Sequence, residues 1–140
     1  MPFVPDASVV LAWHFRDEQS PLAEAVATRS YSDLAVVPPH WPLDVGNALL
    51  RGERRACSSA EDVSRFVERL AALDVEIDPL SADEVYSVLL PLARAHRLSV
   101  YDAAYLELAG RRGLPLATLD EALVRAAQAA GVELLEGDRS

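Results

Sequence analysis

The chain reads as one α/β domain, with a central, mainly parallel sheet of about five short strands and helices on both faces. Three observations predict it. Short apolar stretches alternate along the 140 residues with longer segments whose apolar residues recur at helical spacing. Most junctions carry a cap, a glycine or a proline, so each segment has a defined end. Strands are separated by helices rather than by tight turns, which calls for crossover connections and parallel pairing.

The first strand is Phe3-Val4-Pro5-Asp6, apolar until its last residue. Ser8 to Phe15 opens a helix, and Pro21 to Arg29 makes a second, with Ser20 as N-cap and Pro21 at the first helical position. Leu34 to Val37 is a second strand, closed by Pro38-Pro39. Trp41 to Arg55 has Val45, Ala48 and Leu49 on one helical face. After Ser58-Ser59, Val63, Phe66, Val67 and Leu70 mark an amphipathic helix with Glu61 and Asp62 in its first turn. Val75 to Asp78 is a short strand. Ser81 to His96 is helical in pattern, although Pro91 speaks against a straight rod. Tyr101 to Arg111 is a helix stopped by Gly113, Leu114 to Thr118 a strand, Asp120 to Ala130 a helix ended by Gly131, and Val132 to Leu135 a final strand. Residues 1–135 are thus expected to form one domain, and 136–140 a polar, frayed tail.

Composition narrows the function. No apolar run approaches the ~18 residues that span a membrane, and the first residues lack the basic and apolar regions of a signal peptide, so a cytoplasmic protein is expected. Cys57 is the single cysteine, which excludes an internal disulfide and a cysteine-based zinc site. All 13 basic residues are arginine, so any mechanism needing a lysine is excluded. The net charge of −9 is unusual for a protein that binds phosphates, unless carboxylates cluster where a cation inverts the local sign.

Four aspartates have positions that suit such a cluster. Ligands of parallel sheets bind beyond the carboxyl ends of the strands. Asp6 ends the first strand, Asp44 lies at the start of the helix after the second, Asp102 at the start of another, and Asp120 follows Thr118 just before a third. Each alone also reads as a helix-capping aspartate. Converging together, they would repel one another without a cation, and oxygen-only ligation suits Mg²⁺ or Mn²⁺ rather than zinc.

Across nearly the whole chain these segments resemble the PIN-domain ribonucleases of the VapC toxin type. The resemblance is carried by residues Val4 to Val9, Pro39 to Leu49, Leu98 to Tyr105 and Leu114 to Asp120, in order and at the right spacing. It implies a PIN-like fold and a Mg²⁺-dependent (or Mn²⁺-dependent) endoribonuclease that hydrolyses RNA phosphodiesters. Asp6 and Asp102 would be direct metal ligands. Asp44 and Asp120 would hold waters of the ion, complete a second metal site, or act as base. Partners implied are the RNA substrate, a small cognate antitoxin whose acidic-cleft contact includes an arginine, and a second copy in a homodimer. The chain departs from the family at Asp44, where a glutamate is usual, setting that carboxylate back by one methylene, about 1.5 Å. An inert PIN-like binding module is therefore the alternative. A phospho-accepting receiver or haloacid-dehalogenase-like phosphatase would use a lysine, which is missing here, and the phosphatase a second aspartate where Ser8 stands.

Supporting residues can be assigned in two ways. Thr118 either positions the attacking water or simply favours a strand, and Ser8 either bonds a carboxylate or starts a helix. Asn47 follows Asp44 by one turn on the same face; Arg51 and Arg55 continue that face, as RNA contacts or as a solvated surface. His14, His40 and His96 have no partner at a meaningful spacing and are read as surface or packing residues. Trp13 and Trp41 are read as core or dimer contacts, Tyr101 and Tyr105 as packing.

Overall fold

Parallel pairing organises the molecule around its first strand. In the computed structural model, which describes residues 1–15 and 20–136, β1 (Val4–Pro5) pairs in parallel with β4 (Leu116–Ala117), and β2 (Ala35–Val37) with β3 (Val75–Ile77). A single parallel bridge between Phe3 and Ala35 joins the two ladders, and another between Leu116 and Leu134 adds the last apolar segment at the far side. The expected fifth strand is therefore one bridged residue, because after Gly131 only the Glu133 carbonyl and the Leu135 amide reach the Leu116 backbone.

The helices are α1 (Ala7–His14), α2 (Pro21–Arg29), α3 (Trp41–Arg54), α4 (Ala60–Ala71), α5 (Ala82–Glu84), α6 (Leu90–His96), α7 (Val100–Arg112) and α8 (Glu121–Ala130). Successive strand residues face opposite sides of a sheet. Phe3 and Val4 are 1% and 0% exposed, and β2 is buried throughout, so both faces of the central strands are covered, as their continuous apolar runs require. Outer strand β3 has exposed residues, Ile77 among them. Arg111 fastens its end by donating to Asp78 at 2.5 Å and to Glu107 at 2.7 Å, while Arg112 reaches Glu76.

The helix expected over Ser81 to His96 is interrupted. Ser81 and Glu84 form a capping box for α5, Val85–Leu89 is a π-helical turn, and Leu90 donates back to the Val85 carbonyl. Pro91 sits at the start of α6. A proline there has no N–H to give and clashes with the carbonyl four residues back, and the widened turn just before it relieves both. Of the expected polar tail, all but Glu136 lies outside the described residues. No helix among the described residues is long and apolar enough to cross a membrane.

The chain leaves β1 for β2 and β3 on one side and returns to β4 on the other. Parallel sheets bind ligands at such a reversal, beyond the strand ends. That point lies just past Pro5 and Ala117.

Candidate active site

Asp6 is the first residue past β1 and also the N-cap of α1. It is 4% exposed, yet every hydrogen bond to its carboxylate is local to this corner. Ser8 Oγ donates to Oδ1 at 2.5 Å, and the Val9 amide donates to the same oxygen at 3.3 Å. Thr118 Oγ1 donates to Oδ2 across 112 residues of sequence. Thr118 follows β4, and the register that pairs Pro5 with Ala117 brings it alongside Asp6. Its hydroxyl also accepts from the Asp120 amide at 3.0 Å, while Ser8 Oγ accepts from the Leu119 amide at 3.0 Å. Ser8 and Thr118 thus tie the ends of β1 and β4 together through the carboxylate between them.

The other three aspartates line the same open cleft. Asp120 is the N-cap of α8 and accepts from the Leu123 amide at 3.1 Å. Asp102 lies in the first turn of α7, where Ser99 Oγ accepts from its amide at 3.1 Å. Asp44, in the first turn of α3, accepts from Tyr105 Oη at 3.0 Å. Tyr105 is a core residue, 1% exposed, so Asp44 is held by a group that packing has already fixed. His40 Nε2 stands 3.4 Å from the same Asp44 oxygen, though not aligned for a hydrogen bond.

Electrostatics show how closely the carboxylates feel one another. Burial, chiefly, pushes Asp6 up to about 6, against the bonds from Ser8, Thr118 and Val9, with the Asp102 charge adding to the rise. Asp102 is also raised, first by burial and then by Asp120 and Asp44. Burial lowers His40, with the Asp44 and Asp102 charges pulling the other way. Tyr105 is raised by burial and by the neighbouring Asp44, so its hydroxyl stays a donor. A cation would relieve this mutual repulsion. Among the described residues no three His, Cys, Asp or Glu side chains enclose an ion-sized point by themselves. An oxygen-only, open donor set of this kind fits a hard ion that keeps part of its water shell.

Asn47 and Arg51 line the cleft from α3, both exposed. Arg55 lies one turn further on, in an adjoining groove. Trp41 is buried in the core, and Trp13 Nε1 donates to the Ala23 carbonyl at 2.7 Å. His14 packs on Phe15 and Phe66. Two expectations are corrected. His40 packs on Tyr101 and Tyr105, as expected, but also stands beside Asp44, at an i,i+4 spacing that was available in the sequence. Tyr105 packs as expected but also places its hydroxyl on Asp44; three residues after Asp102 on α7, it faces the same side of its helix.

Comparisons with known proteins give the family and the fold. The PIN domain family model matches residues 3–129. Ribonuclease VapC3 of Pyrobaculum aerophilum is 32% identical over 127 residues, spanning 88% of this chain and 92% of that protein. The crystal structure of PAE2754 from Pyrobaculum aerophilum superposes with a TM-score of 0.67 at 25% identity, over 90% of this chain and 79% of that one. VapBC2 from Rickettsia felis, bound to a DNA fragment from its promoter, gives a TM-score of 0.63 at 12% identity, over 99% of this chain and 100% of that one. A reversal-point cleft lined by four aspartates, a family model covering most of the chain, and a near full-length relative lead to one assignment: the chain belongs to the PIN-domain family, among its VapC-type ribonucleases.

Proposed function

We propose that the chain is a divalent-metal-dependent endoribonuclease acting as the toxin of a toxin–antitoxin pair in the cytoplasm. The observation that carries the reading is the buried Asp6, held from three sides at the reversal point and facing a cleft shared with Asp44, Asp102 and Asp120. Asp6 and Asp102 are the direct ligands in this reading, with Asp44 and Asp120 acting through water. A bound Mg²⁺ or Mn²⁺ would supply charge neutralisation at the phosphate and a more acidic water. The chain's own residues do the rest. Ser8 and Thr118 hold Asp6 in one rotamer, Tyr105 holds Asp44, and Asn47 and Arg51 face the approaching strand.

Asp44 is one methylene shorter than the residue usual in the family, but Tyr105 keeps it at the cleft wall, and no observation favours the inert binding module. The antitoxin belongs to the proposal on chemical grounds: an arginine from a partner would be drawn to these carboxylates and would compete with the ion. A homodimer is part of it too, supported by exposed apolar side chains on α3 and α4, including Leu43, Leu50 and Val67.

The test incubates purified protein with total RNA, with and without Mg²⁺ or Mn²⁺, beside Asp6→Asn. Metal-dependent cleavage that Asp6→Asn abolishes is expected, and the mapped ends would name the RNA. Folded, metal-supplied protein that cuts no RNA would overturn the reading.

A further inference from the structure

Resting on the ribonuclease reading, a second surface beside the acidic cleft calls for an occupant. A groove of about 420 Å³ runs between the end of α1 and the second half of α3, lined among others by Leu11, Phe15, Ala48, Arg51, Arg55 and Cys57. It is continuous with the cleft, since Ser8, Leu11, Ala48 and Arg51 line both. Its size falls within the ~300–1,000 Å³ of ordinary ligand clefts. The end wall is built by close packing: a methyl group on Gly52 would stand 2.7 Å from Phe15 Cε1 and Cζ, so only glycine lets the ring lie against α3.

Charge selects the occupant. Arg29, Arg65, Arg111 and Arg112 each stand against a carboxylate. Of the described arginines with no such partner, Arg51 and Arg55 are the two that line this groove. They are one helical turn apart, about 6 Å along the axis, a spacing close to that of successive phosphates in an extended strand. The cleft itself is anionic and repels a polynucleotide, so attraction has to come from its margin.

We infer that this groove is a subsite for single-stranded RNA flanking the scissile phosphate, with Arg51 and Arg55 on successive phosphates and a base against the apolar floor of Leu11, Ala48 and Phe15. Arg51 borders both cavities and would set the register between the reacting phosphate and the next one.

Two measurements test it with a labelled, unstructured single-stranded RNA, both in Mg²⁺ on an Asp6→Asn background that prevents turnover. In the first, binding is followed by fluorescence anisotropy across KCl concentrations. Each lost phosphate contact removes about 0.7 from the slope of log K against log salt. Arg51→Ala with Arg55→Ala should therefore flatten the slope by about 1.4 and weaken binding by on the order of 10-fold or more at low salt. Arg94→Ala with Arg125→Ala removes the same net charge from exposed positions outside the groove and should leave the slope unchanged. In the second, saturating RNA should slow maleimide modification of Cys57, the chain's single cysteine, which is exposed and lines the groove. RNA that binds with an unaltered slope in the Arg51/Arg55 variant, or that leaves Cys57 equally reactive, would overturn the groove assignment while leaving the nuclease intact. If wild-type protein cuts no RNA with metal present and the background binds none, the ribonuclease reading falls, and this inference with it.

Discussion

Asp6 carries a conflict that can be measured. An aspartate buried this deeply resists ionisation, and its pKa near 6 lies above the ordinary 3.8. The folded protein therefore binds this proton more tightly than the unfolded chain does. Stability from the protonated group is complete below about pH 3.8 and is lost as the pH rises through about 6. By pH 7.5 the ionised carboxylate costs the metal-free fold up to about 3 kcal/mol. Metal-free Asp6→Asn should accordingly melt higher than wild type at pH 7.5, and their difference should shrink toward pH 4. A melting difference independent of pH would show that Asp6 ionises as easily as a surface residue. Tyr105→Phe addresses the other end of the cleft. It leaves the core packing in place but releases Asp44, and cleavage should slow by on the order of 10-fold with KM for RNA unchanged. A raised KM at unchanged kcat would place Tyr105 in RNA binding instead.

At the scale of single elements, the helices were the most legible part of the sequence. Ser20, Ser59, Ser81 and Ser99 each accept from the amide three residues on, and a serine ahead of an acidic first turn is a local signal. All four aspartates could be placed at strand ends or helix starts for the same reason. What escaped was non-local. The bond from Tyr105 to Asp44 joins α7 to α3 across 61 positions, and no spacing rule reaches that far. The reduction of the fifth strand to one bridge at Leu134 depends on how the chain leaves Gly131, not on the apolar run itself. The π-turn before Pro91 was half legible: the proline announced a break, but the neighbours that absorb it were set by packing. Ser99→Ala tests an element directly. It removes the cap that holds the first turn of α7, so it should cost about 1 kcal/mol, read by chemical denaturation. It should also lower cleavage, because Asp102 sits in that turn. Unchanged activity at reduced stability would mean that Asp102 does not depend on its helix start.

For the whole molecule, the clustered charge predicts a stability linked to divalent ions. An ion that binds only the folded state adds about 2.7 kcal/mol at a hundredfold excess over its Kd. Mg²⁺ or Mn²⁺ should thus raise the melting temperature of wild type, and Asp6→Asn should lose most of that response. An equal rise in both proteins would assign the effect to general screening rather than to the cleft.

The bond between Thr118 and Asp6 has a further consequence in time. Asp6 leaves a ribosome well before its partner Thr118, which is made 112 residues later, and Asp102 and Asp120 also follow it by a long interval. Until β4 docks beside β1, a growing chain can hold no assembled cleft, however complete its first helices are. Non-local pairing of this kind is also the slow part of folding. A nascent chain of this protein therefore carries no complete carboxylate site until β4 has been made and has docked.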